Sequence, residues 1–100
     1  DEGFREQLQR FIATLAAAET RLAECQAARD YTALSIAAHQ LLGQARLVGA
    51  TLLGETCARL EQAAHEADAA ACEKLLAGIV AEIHRFTAAL HRPRSAALTT

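Results

Sequence analysis

Apolar residues recur along this chain at the three-to-four-residue spacing of one helix face, in four successive segments. The pattern predicts helices at about residues 2–28, 31–48, 51–66 and 69–91. The residues predicted to face inward are Phe4, Leu8, Phe11, Leu15, Ala18, Leu22 and Cys25, then Leu34, Ala37, Ala38, Leu41, Ala45 and Val48, then Leu53, Cys57, Leu60 and Ala64, and finally Cys72, Leu75, Ile79, Ile83, Phe86 and Leu90. Short connections favour an all-α, antiparallel four-helix bundle, in which the four stripes bury one another.

Polar and helix-breaking residues mark the ends of these segments. Asp30 and Asp68 stand where each can cap the helix that follows. Pro93 cannot continue a helix, so it ends the last one. The sequence therefore predicts one bundle domain over residues 1–92 and a disordered C-terminal tail over residues 93–100.

Composition excludes several function classes. Alanine supplies 25 of the 100 residues, while aromatic residues make up 4%, a bias typical of helical domains. A net charge of −2 without a basic stripe argues against a nucleic-acid surface. No apolar run approaches the roughly 20 residues of a membrane span, and no signal peptide is visible. The chain contains no methionine, even at position 1, so we expect it to be a fragment of a longer protein.

The three cysteines are odd in number, widely spaced and without a C-x-x-C or zinc pattern. Cys25, Cys57 and Cys72 each fall on the apolar side of a predicted helix, where a free thiol behaves as a small hydrophobe. This use of cysteine favours a reducing, cytoplasmic setting. A disulfide or a reactive thiol is the alternative.

His39 is predicted to point outward from the second helix. Its direction lies about 140° from the centre of that helix's apolar stripe. Gly43 follows one turn later on the same face, although glycine inside a helix costs about 1 kcal/mol relative to alanine. The same outer sector holds Thr32, Ser35, Ile36 and Arg46, with Leu42 at its flank. Apolar residues rimmed by polar ones indicate a docking surface; the alternative is a solvated histidine beside a glycine without a role.

The residues around His39 resemble the signature of histidine-containing phosphotransfer (HPt) domains. That pattern is a histidine, an apolar residue two later, usually lysine at three, glycine at four, and a second glycine ten after the histidine. His39, Leu41, Gly43 and Gly49 match it. The likeness extends over residues 4–90 and includes the AARDYTAL turn before the histidine helix, together with Ala50, Leu53, Leu60 and Glu61.

The resemblance implies a phosphorelay module that is a phosphocarrier rather than an enzyme. His39 would accept a phosphoryl group from a receiver-domain aspartate and pass it to a response-regulator aspartate. Imidazole suits this role because its neutral form offers a lone pair for attack near physiological pH. The family implies no metal or cofactor of the domain's own, since the partner receiver supplies Mg²⁺. Supporting roles in phosphoryl binding or docking are predicted for Gly43, Arg46, Ser35, Leu42, Ile36 and Gln40.

One departure from the family pattern concerns the cation near the histidine. Leu42 stands where the family usually has lysine. Arg46, two turns beyond His39 and within about 20° of its direction, is a possible substitute. Slower transfer, or loss of transfer with docking retained, are the alternatives. Gln40 and Gln44 flank the site, where they either hydrogen-bond or simply keep the surface polar.

Two functions other than phosphotransfer are possible for a small helical bundle. A carboxylate-bridged metal bundle requires Glu-x-x-His motifs, and the residues three before each histidine are Ile36, Gln62, Ala81 and Ala88. That alternative fails. A silent docking or dimerisation bundle stays open, because the apolar residues near His39 would serve it equally well.

The other histidines receive structural interpretations. His65 is expected to pair with Glu61 one turn earlier, and His84 and His91 lie on the last helix as solvated residues.

The resemblance further implies a C-terminal HPt domain of a hybrid sensor histidine kinase. We expect such a domain to be cytoplasmic and not to contact the membrane directly, although its parent protein is membrane-anchored. In isolation we expect the domain to be monomeric.

Overall fold

Four helices make up the computed structural model, which describes residues 2–90. They are α1 (Glu2–Ala27), α2 (Tyr31–Leu47), α3 (Thr51–His65) and α4 (Ala69–Leu90). The predicted bounds differ from these by one residue at most. His91, Pro93 and the predicted tail lie outside the described residues.

The helices close into an antiparallel bundle, as the pattern predicts. Each helix packs against the next in the chain, and α1 also packs against α4. The interface between α2 and α3 is the most extensive, and that between α1 and α4 is the least. Because α2 packs against both α1 and α3, the residues that face these helices are buried and the remaining strip faces solvent.

The connection between α2 and α3 is a Schellman motif. Gly49 takes a left-handed backbone conformation with φ of 73°, and its N–H donates to the carbonyl of Arg46 at 3.2 Å. The N–H of Ala50 donates to the carbonyl of Ala45 at 2.9 Å. These two bonds satisfy carbonyl groups at the end of α2 and allow α3 to begin immediately at Thr51.

The other two connections repeat this geometry without glycine. Arg29 and Ala67 adopt left-handed conformations with φ of 55° and 51°. The next residue in each case caps the following helix: the carboxylates of Asp30 and Asp68 accept the backbone N–H three residues later, at 3.0 and 3.1 Å. Both aspartate caps were predicted. The left-handed residues before them were not, because their side chains give no signal for that conformation.

The core matches most of the predicted stripes, with differences at several positions. Phe4 is 60% exposed because residues 2–7, the first turns of α1, all lie outside the core. Val48 is 47% exposed because it is the C-cap of α2 and leaves helical geometry. On α4 the buried stripe includes Leu76, while Leu75 is only partly buried. The buried hydrophobic residues are Phe11, Leu15, Leu22, Leu34, Ala37, Ala38, Leu41, Leu42, Ala45, Leu53, Cys57, Leu60, Ala63, Ala64, Cys72, Leu76, Ile79 and Ile83.

The three cysteines are free thiols, as predicted. Cys57 and Cys72 are fully buried, and Cys25 is partly buried. Burial raises the pKa of Cys57 to about 12. Burial, and secondarily the negative charge of Asp68, also raises the pKa of Cys72. Both buried thiols therefore stay protonated and unreactive in the folded domain near neutral pH.

Ala67→Gly should stabilise the domain, because an alanine side chain makes the left-handed conformation unfavourable by about 1–2 kcal/mol. Glycine's greater freedom in the unfolded chain offsets part of this gain. We expect the free energy of unfolding to rise by about 0.5–1 kcal/mol in urea titrations. Ala81→Gly, at an exposed position within α4, should lower it by about 1 kcal/mol. Equal destabilisation by both substitutions would contradict the strain at residue 67.

Candidate functional site

His39 lies at the middle of α2, on the strip of that helix that faces solvent. Its side chain is 68% exposed, while its neighbours Ala38 and Leu41 are buried. The helical geometry of the α2 stripe predicted this outward direction. An exposed imidazole on a rigid helix is accessible to a reaction partner without any unfolding.

Glu61 on α3 contacts the imidazole. Its Oε1 atom lies 3.1 Å from Nδ1 of His39, and its side chain is 26% exposed. His39 precedes Ala50 by 11 residues and Glu61 follows it by 11, so an antiparallel hairpin brings them to the same height. Sequence reasoning placed Glu61 in the family pattern but missed this contact. Because His39 and Glu61 are equally far from the turn at Ala50, this spacing could have predicted the contact.

The contact defines which ring nitrogen is free. An ionised carboxylate only accepts hydrogen bonds, so Nδ1 of a neutral His39 must donate to Glu61. The lone pair is then on Nε2, at the outer edge of the ring. Glu61 therefore selects the tautomer of His39 in which Nε2 is the nucleophile.

Glu61 also faces a second histidine. Its Oε2 atom lies 3.8 Å from Nε2 of His65, one turn later on α3. This is the pair that the sequence predicted. The carboxylate thus stands between His39 on α2 and His65 on α3, with one oxygen toward each.

Gly43 leaves open space one helical turn after His39. Apart from the adjoining backbone of α2, a Cβ atom built at this position would meet no atom of the domain within 4 Å. Gly54 differs, because a Cβ there would lie 3.5 Å from Cδ1 of Leu42 and 3.8 Å from Cβ of Ala45. Gly54 is thus buried against α2, at a distance where a Cβ atom would make ordinary van der Waals contacts. Packing inside the domain therefore does not require glycine at position 43.

Two predicted site residues are buried rather than exposed. Ser35 is 5% exposed and its hydroxyl donates to the carbonyl of Thr32 at 2.8 Å. Leu42 is 6% exposed and packs against Gly54 on α3. Their placement in or beside the outer sector was wrong, because a helix considered alone does not show how far α1 and α3 cover its sides. The predicted site residues Ile36, Gln40, Gly43 and Arg46 are exposed.

Gln40 connects the site to α1. Its Oε1 atom accepts a hydrogen bond from Nη1 of Arg21 at 2.7 Å. Both residues line a groove of about 440 Å³ between α1 and α2, together with Gln44 and small residues such as Ala17. The contact favours the hydrogen-bonding interpretation of Gln40. Sequence reasoning did not single out Arg21, since nothing in its local pattern marks it.

The remaining histidines within residues 2–90 are paired on the surface. Nε2 of His84 lies 3.0 Å from Oε1 of Glu19, which joins α4 to α1 at their exposed edge. His65 pairs with Glu61 as described. Neither has an open helical glycine one turn away, in contrast to His39.

Among the described residues, no group of three or more histidine, cysteine, aspartate or glutamate side chains is arranged to hold a metal ion. No helix in the same part of the chain combines the length and the hydropathy needed to cross a membrane.

A family model described as Hpt domain matches residues 2–92. The chain therefore belongs to the Hpt family. The search of curated proteins and the search of solved structures each gave no match. Hpt domains are phosphocarriers in two-component signalling and interact with receiver domains, so membership assigns phosphotransfer within a phosphorelay to this helical bundle.

Removing the Glu61 carboxylate should change the tautomer of His39. In Glu61→Ala, we expect the ratio of Nδ1–H to Nε2–H tautomers of the neutral ring to fall about two- to fivefold, the range of an exposed charge-assisted contact. Ring ¹⁵N chemical shifts measured by NMR above the histidine pKa report this ratio.

Glu19→Ala is the matched control, because it removes the equivalent partner of His84. It should alter the ¹⁵N shifts of His84 and leave those of His39 unchanged. An unchanged His39 ring in Glu61→Ala would show that the carboxylate does not select its tautomer.

Proposed function

We propose that His39 accepts a phosphoryl group on Nε2 from a receiver-domain aspartate and passes it to an aspartate of a response regulator. The observation that carries this proposal is an exposed imidazole whose Nδ1 contacts Glu61 at 3.1 Å and whose neighbouring turn is open at Gly43. Membership of the Hpt family supports the same chemistry.

The transfer balances in two steps. In the first, the Nε2 lone pair forms a bond to phosphorus as the bond between phosphorus and the aspartyl oxygen breaks, and the carboxylate leaves with that electron pair. The ring then carries a positive charge, which the Glu61 carboxylate opposite Nδ1–H stabilises. In the second, an aspartate of the next receiver attacks phosphorus, and the electron pair of the N–P bond returns to Nε2.

The surface around His39 suits a receiver domain. Gly43 lets a partner approach the backbone of α2 closely, and Ile36, which is 49% exposed, offers an apolar contact on the other side. Gln40 and Arg46 provide a polar rim. An apolar centre with polar edges matches the anatomy of transient protein interfaces.

The domain works without a metal or cofactor of its own in this proposal. The receiver's acidic pocket and its Mg²⁺ supply the charge that stabilises the transferring phosphoryl group. Leu42, at the family's lysine position, instead contributes packing against Gly54. Any cation on this side of the complex must therefore come from another residue, and Arg46 is the candidate that sequence reasoning supplied.

The parent protein in this proposal is a hybrid sensor histidine kinase with this domain at its C-terminus. It is anchored in a membrane and holds the domain in the cytoplasm. The isolated domain is a monomer that meets one receiver at a time.

Incubation with a phosphorylated receiver domain and Mg²⁺ tests phosphotransfer directly. We expect a base-stable, acid-labile phosphoryl label on the wild-type domain and none on His39→Gln, because only an N–P bond has this stability pattern. His84→Gln, which changes another exposed, carboxylate-paired histidine, should be labelled normally. Receiver binding without any label on the wild-type domain would support a silent docking module instead.

Gly43→Ala should separate stability from function. Alanine removes the helix penalty of glycine, so the free energy of unfolding should rise by about 1 kcal/mol. The added methyl group obstructs the partner, so the Kd for the phosphorylated receiver should increase roughly tenfold and transfer should slow accordingly.

Gly78→Ala is the matched control on α4. A Cβ there would lie 3.9 Å from Cγ2 of Thr56, an ordinary contact. It should give similar stabilisation with unchanged transfer. Normal transfer by Gly43→Ala would mean that no partner approaches the backbone at this turn.

A further inference from the structure

The phosphorylated form of His39 needs a positive charge that the known contacts of the ring do not supply. The group that contacts the ring is Glu61, whose carboxylate repels a phosphoryl dianion. Leu42 is apolar and buried. A cation for the phosphoryl group must therefore come from elsewhere, and the other flank of α2 carries one.

Arg21, on the neighbouring helix α1, contacts the residue that follows His39. It precedes Asp30 by nine residues, and Gln40 follows Asp30 by ten, so the antiparallel packing of α1 and α2 places them side by side. The 2.7 Å hydrogen bond from Nη1 of Arg21 to Oε1 of Gln40 demonstrates this. Arg46, by comparison, lies seven residues along α2 from His39, or about 10.5 Å of helix rise.

The orientation of the ring also favours the α1 side. Nδ1 of His39 faces Glu61 on α3, and Nε2 lies across the five-membered ring on the edge turned away from that carboxylate. A phosphoryl group on Nε2 is therefore held away from the Glu61 carboxylate. Since α2 packs against α1 as well as α3, Arg21 is a cation on the flank of α2 opposite that carboxylate.

We propose that Arg21 binds the phosphoryl group of phosphorylated His39 and so supplies the cation that Leu42 does not. In the unphosphorylated domain Gln40 holds the guanidinium beside the site. On phosphorylation, Arg21 exchanges this neutral acceptor for phosphoryl oxygens, with which guanidinium forms stronger, charge-assisted hydrogen bonds. This inference rests on the proposed function, since it requires that His39 is phosphorylated.

The test uses phosphoramidate as a small phosphoryl donor and ³¹P NMR as the readout, so no cognate receiver is needed. A nearby cation favours the dianionic form of the phosphoryl group. In Arg21→Gln we therefore expect the pH midpoint of the phosphohistidine ³¹P shift to rise by about half a pH unit. The rate of phosphorylation should fall about two- to fivefold, and Arg21→Lys should restore most of both effects.

Two further substitutions test whether the effect belongs to Arg21. Arg10→Gln removes the same charge from another exposed position on α1 and should leave the ³¹P titration unchanged. A shift in Arg46→Gln with none in Arg21→Gln would assign the role to Arg46 and overturn the proposal, as would equal shifts in Arg10→Gln and Arg21→Gln.

The failure of this inference is distinguishable from failure of the proposed function. If the wild-type domain takes up no phosphoryl group on His39 from either phosphoramidate or a phosphorylated receiver, the proposed function fails. If the wild-type domain is phosphorylated and Arg21→Gln titrates as the wild type does, only the role of Arg21 fails.

Discussion

The close antiparallel packing of α2 against α3 is the constraint on which the site depends. It starts at the Schellman turn of Gly49 and Ala50, and the buried residues Leu42 of α2 and Gly54 of α3 face each other across the interface. This packing fixes the register of the hairpin. The register, in turn, brings a carboxylate of α3 to the inner nitrogen of an imidazole on α2.

The site combines opposite electrostatic environments on the two sides of one helix. On the α3 side, the Glu61 carboxylate suits a ring that becomes positively charged. On the α1 side, the Arg21 guanidinium stands beside Gln40 in a groove bordered by small residues. The two flanks of α2 beside His39 thus carry opposite charges.

Periodicity predicted the fold because each of the four stripes is long and its ends are marked by residues such as Asp30, Asp68 and Gly49. It also predicted that His39 points outward. It did not predict which flanking residues stay exposed. Ser35 and Leu42 are covered by neighbouring helices, and such coverage depends on how helices pack rather than on the sequence of one helix.

The contacts of Glu61 and Arg21 were missed for a related reason. Each joins residues on different helices, 22 and 19 positions apart in the chain. Local patterns carry no information at that distance. If the helices are assumed to form antiparallel hairpins, counting residues outward from each turn shows which residues lie opposite each other. These contacts could therefore have been predicted from the sequence.

The buried thiol of Cys57 has a practical consequence. It lies in the middle of α3, with no exposed surface and with a pKa that keeps it protonated. A thiol reagent can therefore reach it only when α3 separates from its neighbours. The rate of its modification would report how often the bundle opens spontaneously. A lower rate in the presence of a receiver would show that a receiver bound over α2 keeps the helices together.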